Sequence, residues 1–245
     1  MQERKILCAD ALSYLPPIDF FVRACVADVY LLADDIQFST NGFSHRAKIK
    51  TGDGVRILSL PVLTKGRGPQ IISQVELDNG RHWQRRHWRS IEANYCHAPY
   101  FDQFADEIDV LFKKSYKYFH EVNLAFTFAL SRWLRMPSMP KLTSGFPSSA
   151  KKEERLIELA RKTGATVYLC DASYKGVLSS DKFTEASIQL RFADFSGVTY
   201  PQLFGAFQAN SSALDLLLNE GTRAAREYID RIAERVRNEI NQFIS

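Results

Sequence analysis

The 245-residue chain is poor in the features that mark specialised classes. It has 4 cysteines, Cys8, Cys25, Cys96 and Cys170, far apart and without C-x-x-C spacing. That excludes a dense disulfide framework and a cysteine zinc site, and reduced thiols in a cytoplasmic protein are expected. Its 12 glycines and 9 prolines are ordinary and exclude collagen-like or low-complexity sequence. The longest largely apolar run, around residues 122–131, is far shorter than the roughly 20 residues that cross a bilayer, so no membrane span is expected. The charged start at residues 1–5 leads into an apolar stretch that Asp10 and Pro16 interrupt, which is not the pattern of a signal peptide. Excess charge is scarce too, since 32 Lys and Arg against 28 Asp and Glu leave +4. This suits a phosphate-bearing ligand and is too weak to argue for a nucleic-acid protein. The G-x-S-x-G, P-loop and dinucleotide glycine patterns are absent. No His/Cys grouping has zinc spacing, so no metal site is expected, and the sequence names no cofactor.

What is present reads as an ordinary globular chain, 45% hydrophobic and 24% charged, long enough to build a core without staples. No linker stands out. Residues 136–150, with Pro137, Pro140 and Pro147, read as a loop inside a single domain over residues 1–245. The N-terminal part alternates short apolar runs (4–9, 28–33) with a helical stretch at 18–27, a strand–helix–strand unit. The segment Thr51-Gly52-Asp53-Gly54 predicts a hairpin between strands at 47–50 and 55–62. A further strand is expected at 71–77, and others at 165–170 and 187–192. Helices are expected at 82–95, 99–119, 122–134, 151–163 (closed by Gly164), 211–219 (closed by Gly221) and 222–244. The last carries an apolar stripe, Ala225, Ile229, Ile232, Val236, Ile240 and Phe243, suited to core packing or to an oligomer contact. The fold class is therefore α/β: a mixed, partly parallel central sheet flanked by helices, with a helix-rich C-terminal half.

Four polar constellations could carry chemistry. Asp34-Asp35-Ile36-Gln37 follows an apolar strand, where open α/β sheets bind ligands; a loop-starting, capping pair is the plainer reading. Arg46, Lys48 and Lys50 alternate on one strand face. Arg46 could clamp a carboxylate or phosphate, whereas Lys48 and Lys50 suit a solvated face. Residues 81–89 hold Arg81, Arg85, Arg86, Arg89, His82, His87, Trp83 and Trp88 without an acid. This patch fits an anion or RNA site, or equally a helix with its tryptophans in the core. Tyr200 and Gln202 are polar groups in an aromatic loop, and Ser212 and Asp215 have the spacing of a capping box.

The order of these pieces resembles the WbqC-like family. The resemblance rests on Ser-Tyr-Leu-Pro at 13–16, Ala-Asp-Val-Tyr-Leu-Leu-Ala-Asp-Asp-Ile-Gln-Phe at 27–38, His-Arg-Ala-Lys-Ile-Lys-Thr at 45–51 and Leu-Ser-Leu-Pro-Val at 58–62. The helix at 83–95 with Ala-Pro-Tyr-Phe at 98–101, Gly-Ala-Thr-Val-Tyr-Leu at 164–169, Tyr-Pro-Gln at 200–202 and Ser-Ala-Leu-Asp at 212–215 complete it. It implies a role in O-antigen or related surface-glycan biosynthesis, with transfer of an acyl or aminoacyl group to a sugar. By position it marks Tyr14, Asp35, Gln37, Arg46, Tyr200, Gln202 and Asp215. The family pattern His-Gln-Pro-x-Tyr-Leu-Pro reads here Asp10-Ala11-Leu12-Ser13-Tyr14-Leu15-Pro16, so Asp10 stands where the family has a histidine.

The expected site follows. Asp10 or Asp35 is the catalytic base. Arg46, with Arg85 or Arg86, holds an anion such as a diphosphate. Tyr14, Trp83 and Tyr200 line the cleft, with Gln37 and Gln202 as further substrate contacts. The partners are a nucleotide-linked sugar and an activated acyl donor, free or carrier-bound. Two alternatives stand beside this transferase: a non-catalytic module binding a nucleotide sugar or a partner enzyme, and an RNA-binding protein acting through residues 81–89.

Overall fold

Continuous apolar strands need cover on both faces, and the chain supplies it by alternating strands with helices. The computed structural model describes residues 4–242. β1 (Ile6–Ala11) and β2 (Val29–Ala33) are joined by α1 (Ile18–Val26) and pair in parallel, Leu7 opposite Val29 and Asp10 opposite Leu32. β5 (Lys141–Leu142) lies outside β2, while β6 (Val167–Asp171) and β7 (Gln189–Ala193) extend the sheet beyond β1. The order β5-β2-β1-β6-β7 is parallel throughout. The antiparallel part of the expected architecture is a separate hairpin of β3 (Arg46–Thr51) and β4 (Gly54–Ser59), turning at Gly52-Asp53. One face of that hairpin stays open to solvent, which an antiparallel pair tolerates and a parallel sheet does not.

Strand parity sorts the core. Ile6, Cys8, Tyr30, Leu32, Val167 and Leu169 face α1, α2 (Trp83–Tyr95), α3 (Phe101–Lys113), α4 (Phe119–Trp133) and α7 (Ala213–Gln242). Leu7, Leu31, Tyr168 and Cys170 face the other way, under α5 (Lys152–Thr163) and α6 (Ser180–Glu185). The stripe Ala225, Ile229, Ile232, Val236 and Ile240 is buried within the chain. Phe243, expected to extend it, lies outside the described residues.

Two expectations change. Residues 71–77 are not a strand: Ile72–Gln74 make one 3-10 turn between single bridges at Gln37–Ile71 and Val62–Leu77. Ile72 and Val75, three apart, are both buried, which a period of three achieves and strand alternation does not. The helix expected over 99–119 ends at Lys113, and α4 starts afresh where the Glu121 carboxylate accepts the Tyr118 N–H at 2.9 Å.

Gly164 closes α5 in the left-handed region, as its sequence predicts. Gly221, with φ 71° and ψ 174°, breaks α7 into two helical segments. That region belongs to glycine, and a Cβ there would lie 2.6 Å from the Tyr100 ring. Gly221→Ala is expected to cost about 2–4 kcal/mol in thermal or urea unfolding. An unchanged unfolding midpoint would show that the break relaxes freely.

Candidate functional site

Two neighbouring strands whose crossovers leave in opposite directions open a crevice at their carboxyl ends. Here those strands are β1 and β6, since β2 and β5 lie to one side and β7 to the other. A cleft of about 750 Å³ occupies that place. Its apolar walls include Leu156, Leu159, Tyr168 and Leu178, and Asp10, Arg23 and Asp171 form its polar floor.

Arg23 organises the floor. It is the one cation in the otherwise apolar second half of α1, and 9% of it is exposed. Its Nε donates to Asp10 Oδ2 at 2.7 Å and its Nη1 to Asp19 Oδ2 at 2.9 Å, with Asp171 Oδ2 at 3.9 Å. Its guanidinium sits 5.3 Å above the centre of the Phe195 ring. Burial opposes that charge, but Asp10, Tyr30 and Asp19 overcome the penalty and hold Arg23 protonated above its ordinary range. The Tyr30 hydroxyl also donates to Asp10 Oδ2, at 2.7 Å. Both bonds fall on Oδ2, so Oδ1 of Asp10 takes no hydrogen bond among the described residues. Cys170 lines the same cleft, but burial, with Asp171 and Asp10, pushes its thiol up to about 12, which excludes a ready thiolate nucleophile.

The rim comes from α5, α6 and the segment after β2. Arg155 Nη2 donates to Asp35 Oδ2 at 2.5 Å, and the Thr143 hydroxyl donates to Asp35 Oδ1 at 2.5 Å. Asp34 accepts the Ser144 N–H at 3.0 Å. The acidic pair thus ties the 143–144 turn and α5 to the end of β2. Lys182 pairs with Glu153 and Glu154. Lys152, also on the rim, forms no ion pair among the described residues.

The other expected site residues lie elsewhere. Tyr14 and Trp83 are buried to 1% and 0% exposure and do not line the cleft. They pack against His87, whose Nδ1 shares a hydrogen bond with the Tyr14 hydroxyl at 2.9 Å. Both expected tryptophans of the 81–89 patch turn inward, Trp88 stacking on Phe101, while Arg85 and Arg86 stay exposed on α2. That basic face therefore offers no tryptophan platform. Gln37 is exposed beside a separate polar depression with Thr40 and Gln70. Arg46 lines a smaller groove with Lys48. Tyr200 and Gln202 converge on Asp215, donating to its Oδ1 at 2.7 and 2.9 Å, and the Tyr95 hydroxyl donates to Oδ2 at 2.5 Å. Ser212 caps α7 as expected through the Leu214 N–H, but the Asp215 carboxylate goes to these partners and leaves the capping box open. Burial raises Asp215 above the usual carboxylate range, against the three donors that favour its charge.

Arg23, Asp171, Arg155 and Tyr30 were not anticipated. The available signal was a lone arginine in an apolar helix, four residues after Asp19, and an acid, Asp171, closing a second apolar strand.

His87 offers a test of this packing. Burial, helped by Arg86, lowers it to about 4, against a smaller upward pull from the Ser59 carbonyl. Burial and Arg46 also lower His45. As pH falls below about 6.5 the unfolded chain takes up these protons first, so stability is full above that pH and drains away toward pH 4. The His87 share is about 3 kcal/mol. Urea midpoints between pH 7 and pH 4 are expected to fall more steeply for the wild type than for His87→Gln, and parallel profiles would exclude this role for His87.

A model described as the WbqC-like protein family matches residues 13–227. The chain is 29% identical over 214 residues to "Uncharacterized protein Rv1507c" of Mycobacterium tuberculosis (strain ATCC 25618 / H37Rv), an alignment covering 86% of this chain and 92% of that protein. No solved structure matches.

Proposed function

The chain belongs to the WbqC-like protein family, and on that premise we propose that it is a transferase of bacterial surface-glycan biosynthesis, moving an acyl or aminoacyl group onto an amino sugar or sugar hydroxyl. The observation that carries this reading is Asp10 at the switch-point cleft, one carboxylate oxygen held by Arg23 and Tyr30 and the other without a hydrogen-bond partner among the described residues. A carboxylate fixed through one oxygen can accept a proton at the other. Asp171, on the adjoining strand, supplies a second acid for a sugar amine or hydroxyl. In the step, the acceptor nitrogen or oxygen bonds to the acyl carbon. The bond from that carbon to the donor's leaving group breaks with its electron pair, and the acceptor's proton passes to Asp10. Leu156, Leu159 and Tyr168 give the cleft an apolar wall that limits water around an activated donor.

The test is a melting-temperature screen of nucleotide-linked amino sugars, followed by mass analysis with acyl donors. A ligand that stabilises the wild type, fails to stabilise Asp10→Asn and gains an acyl group supports the reading. Equal stabilisation of both proteins removes Asp10 from the site. A ligand that binds the wild type and is never modified supports the alternative of a non-catalytic nucleotide-sugar module, which the replacement of the family's loop histidine by Asp10 favours.

A further inference from the structure

A second concavity, of about 260 Å³, lies on the outer face of β3 and is lined by Ser13, Asp19, Phe43, Arg46, Lys48 and Asn210, among others. The alternation of β3 places Arg46 and Lys48 on this one face. Neither forms an ion pair among the described residues. Among the described residues, the Arg46 side chain has only a 3.5 Å contact to the Thr40 carbonyl, and that of Lys48 only the Phe43 ring, 5.5 Å from its ammonium. The more enclosed arginines behave differently: Arg23 and Arg155 each hold a carboxylate. The Ser13 hydroxyl and the Asn210 amide also line the groove without a hydrogen-bond partner among the described residues. The single acid on its wall among the described residues, Asp19, is already taken by Arg23 at 2.9 Å.

We infer that this groove is a second binding site, distinct from the switch-point cleft, for a phosphate-bearing anion of diphosphate size. Four donor-bearing side chains, two of them cationic, line a space large enough for the phosphates of a nucleotide. The guanidinium of Arg46 supplies the planar fork that grips two phosphate oxygens, and Lys48 supplies a point charge. Phe43, 57% exposed at the groove's edge, offers a face for a ring attached to the diphosphate. The site stands on these residues alone and does not require the transferase reading of the cleft.

Calorimetric titration of the full chain at low salt tests it with two probes, inorganic pyrophosphate and UDP. The wild type is expected to bind pyrophosphate, and Arg46→Gln and Lys48→Gln each to weaken it about tenfold or more. Two variants are independent tests, so a folding failure in one leaves the other decisive. Arg86→Gln, exposed on α2, and Lys152→Gln, on the cleft rim, are expected to bind pyrophosphate as the wild type does. Tighter binding of UDP than of pyrophosphate, abolished by Phe43→Ala, identifies a nucleotide as the source of the anion. Equal binding of the two identifies the free anion. Absence of pyrophosphate binding overturns the inference, as does unchanged affinity in the Arg46 and Lys48 variants. An equal loss in Arg86→Gln, meaning diffuse surface charge, or in Lys152→Gln, meaning binding in the cleft, overturns it as well.

Discussion

Asp10→Asn is expected to lower turnover by about 100-fold or more while costing only about 1–3 kcal/mol of stability. The amide keeps the shape of the carboxylate and one accepting oxygen, so Arg23 Nε and the Tyr30 hydroxyl retain their partner. Arg23 also keeps Asp19 at 2.9 Å and Asp171 nearby, so its buried charge is not stranded. What disappears is the second basic oxygen of a residue that lines the cleft. Asp35→Asn is expected to behave differently, because Asp35 already spends both oxygens on Thr143 and Arg155. Turnover measured by mass gain of the acceptor, beside urea unfolding of the same samples, separates the two positions. Activity retained in Asp10→Asn would remove the base from β1.

Asp215→Ala should be the most destabilising of these substitutions, by about 3–5 kcal/mol. The carboxylate is 1% exposed and is the common acceptor for Tyr95, Tyr200 and Gln202. Truncation leaves two buried hydroxyls, on α2 and the 200–202 loop, without this acceptor, while the Gln202 amide keeps the Gln208 carbonyl at 3.2 Å. Asp215→Asn is expected to lose less, about 1–2 kcal/mol, because its carbonyl still accepts from one side. Urea midpoints with an unchanged slope check both values. If Asp215→Ala instead keeps its stability and loses ligand binding, the Tyr200–Gln202–Asp215 cluster belongs to a substrate site and not to the frame of the fold.

The position of Asp10 shows how far local reasoning reaches. Its correspondence to a histidine in the family pattern marks it from the sequence alone, whereas its place at the end of β1 comes from the fold. Tyr14 and Trp83 carried equally suggestive chemistry, but an aromatic side chain with a polar atom serves a core as well as a cleft. In this chain Trp83 satisfies its N–H on Asn79 and Tyr14 its hydroxyl on His87, and both stay inside. Lys48 went the other way: its strand face suits solvation, yet it lines a groove with Arg46.

Local sequence was enough for the strand–helix alternation, the Gly52-Asp53 turn, the close of α5 at Gly164 and the break at Gly221, because each follows from short-range periodicity or from backbone freedom at one residue. The order β5-β2-β1-β6-β7, and therefore the crevice between β1 and β6, required the folded molecule. Which strands become neighbours depends on how apolar faces far apart in the chain bury one another, and no local pattern encodes that choice. The union of Asp10, Arg23 and Asp171 on one floor is the direct result.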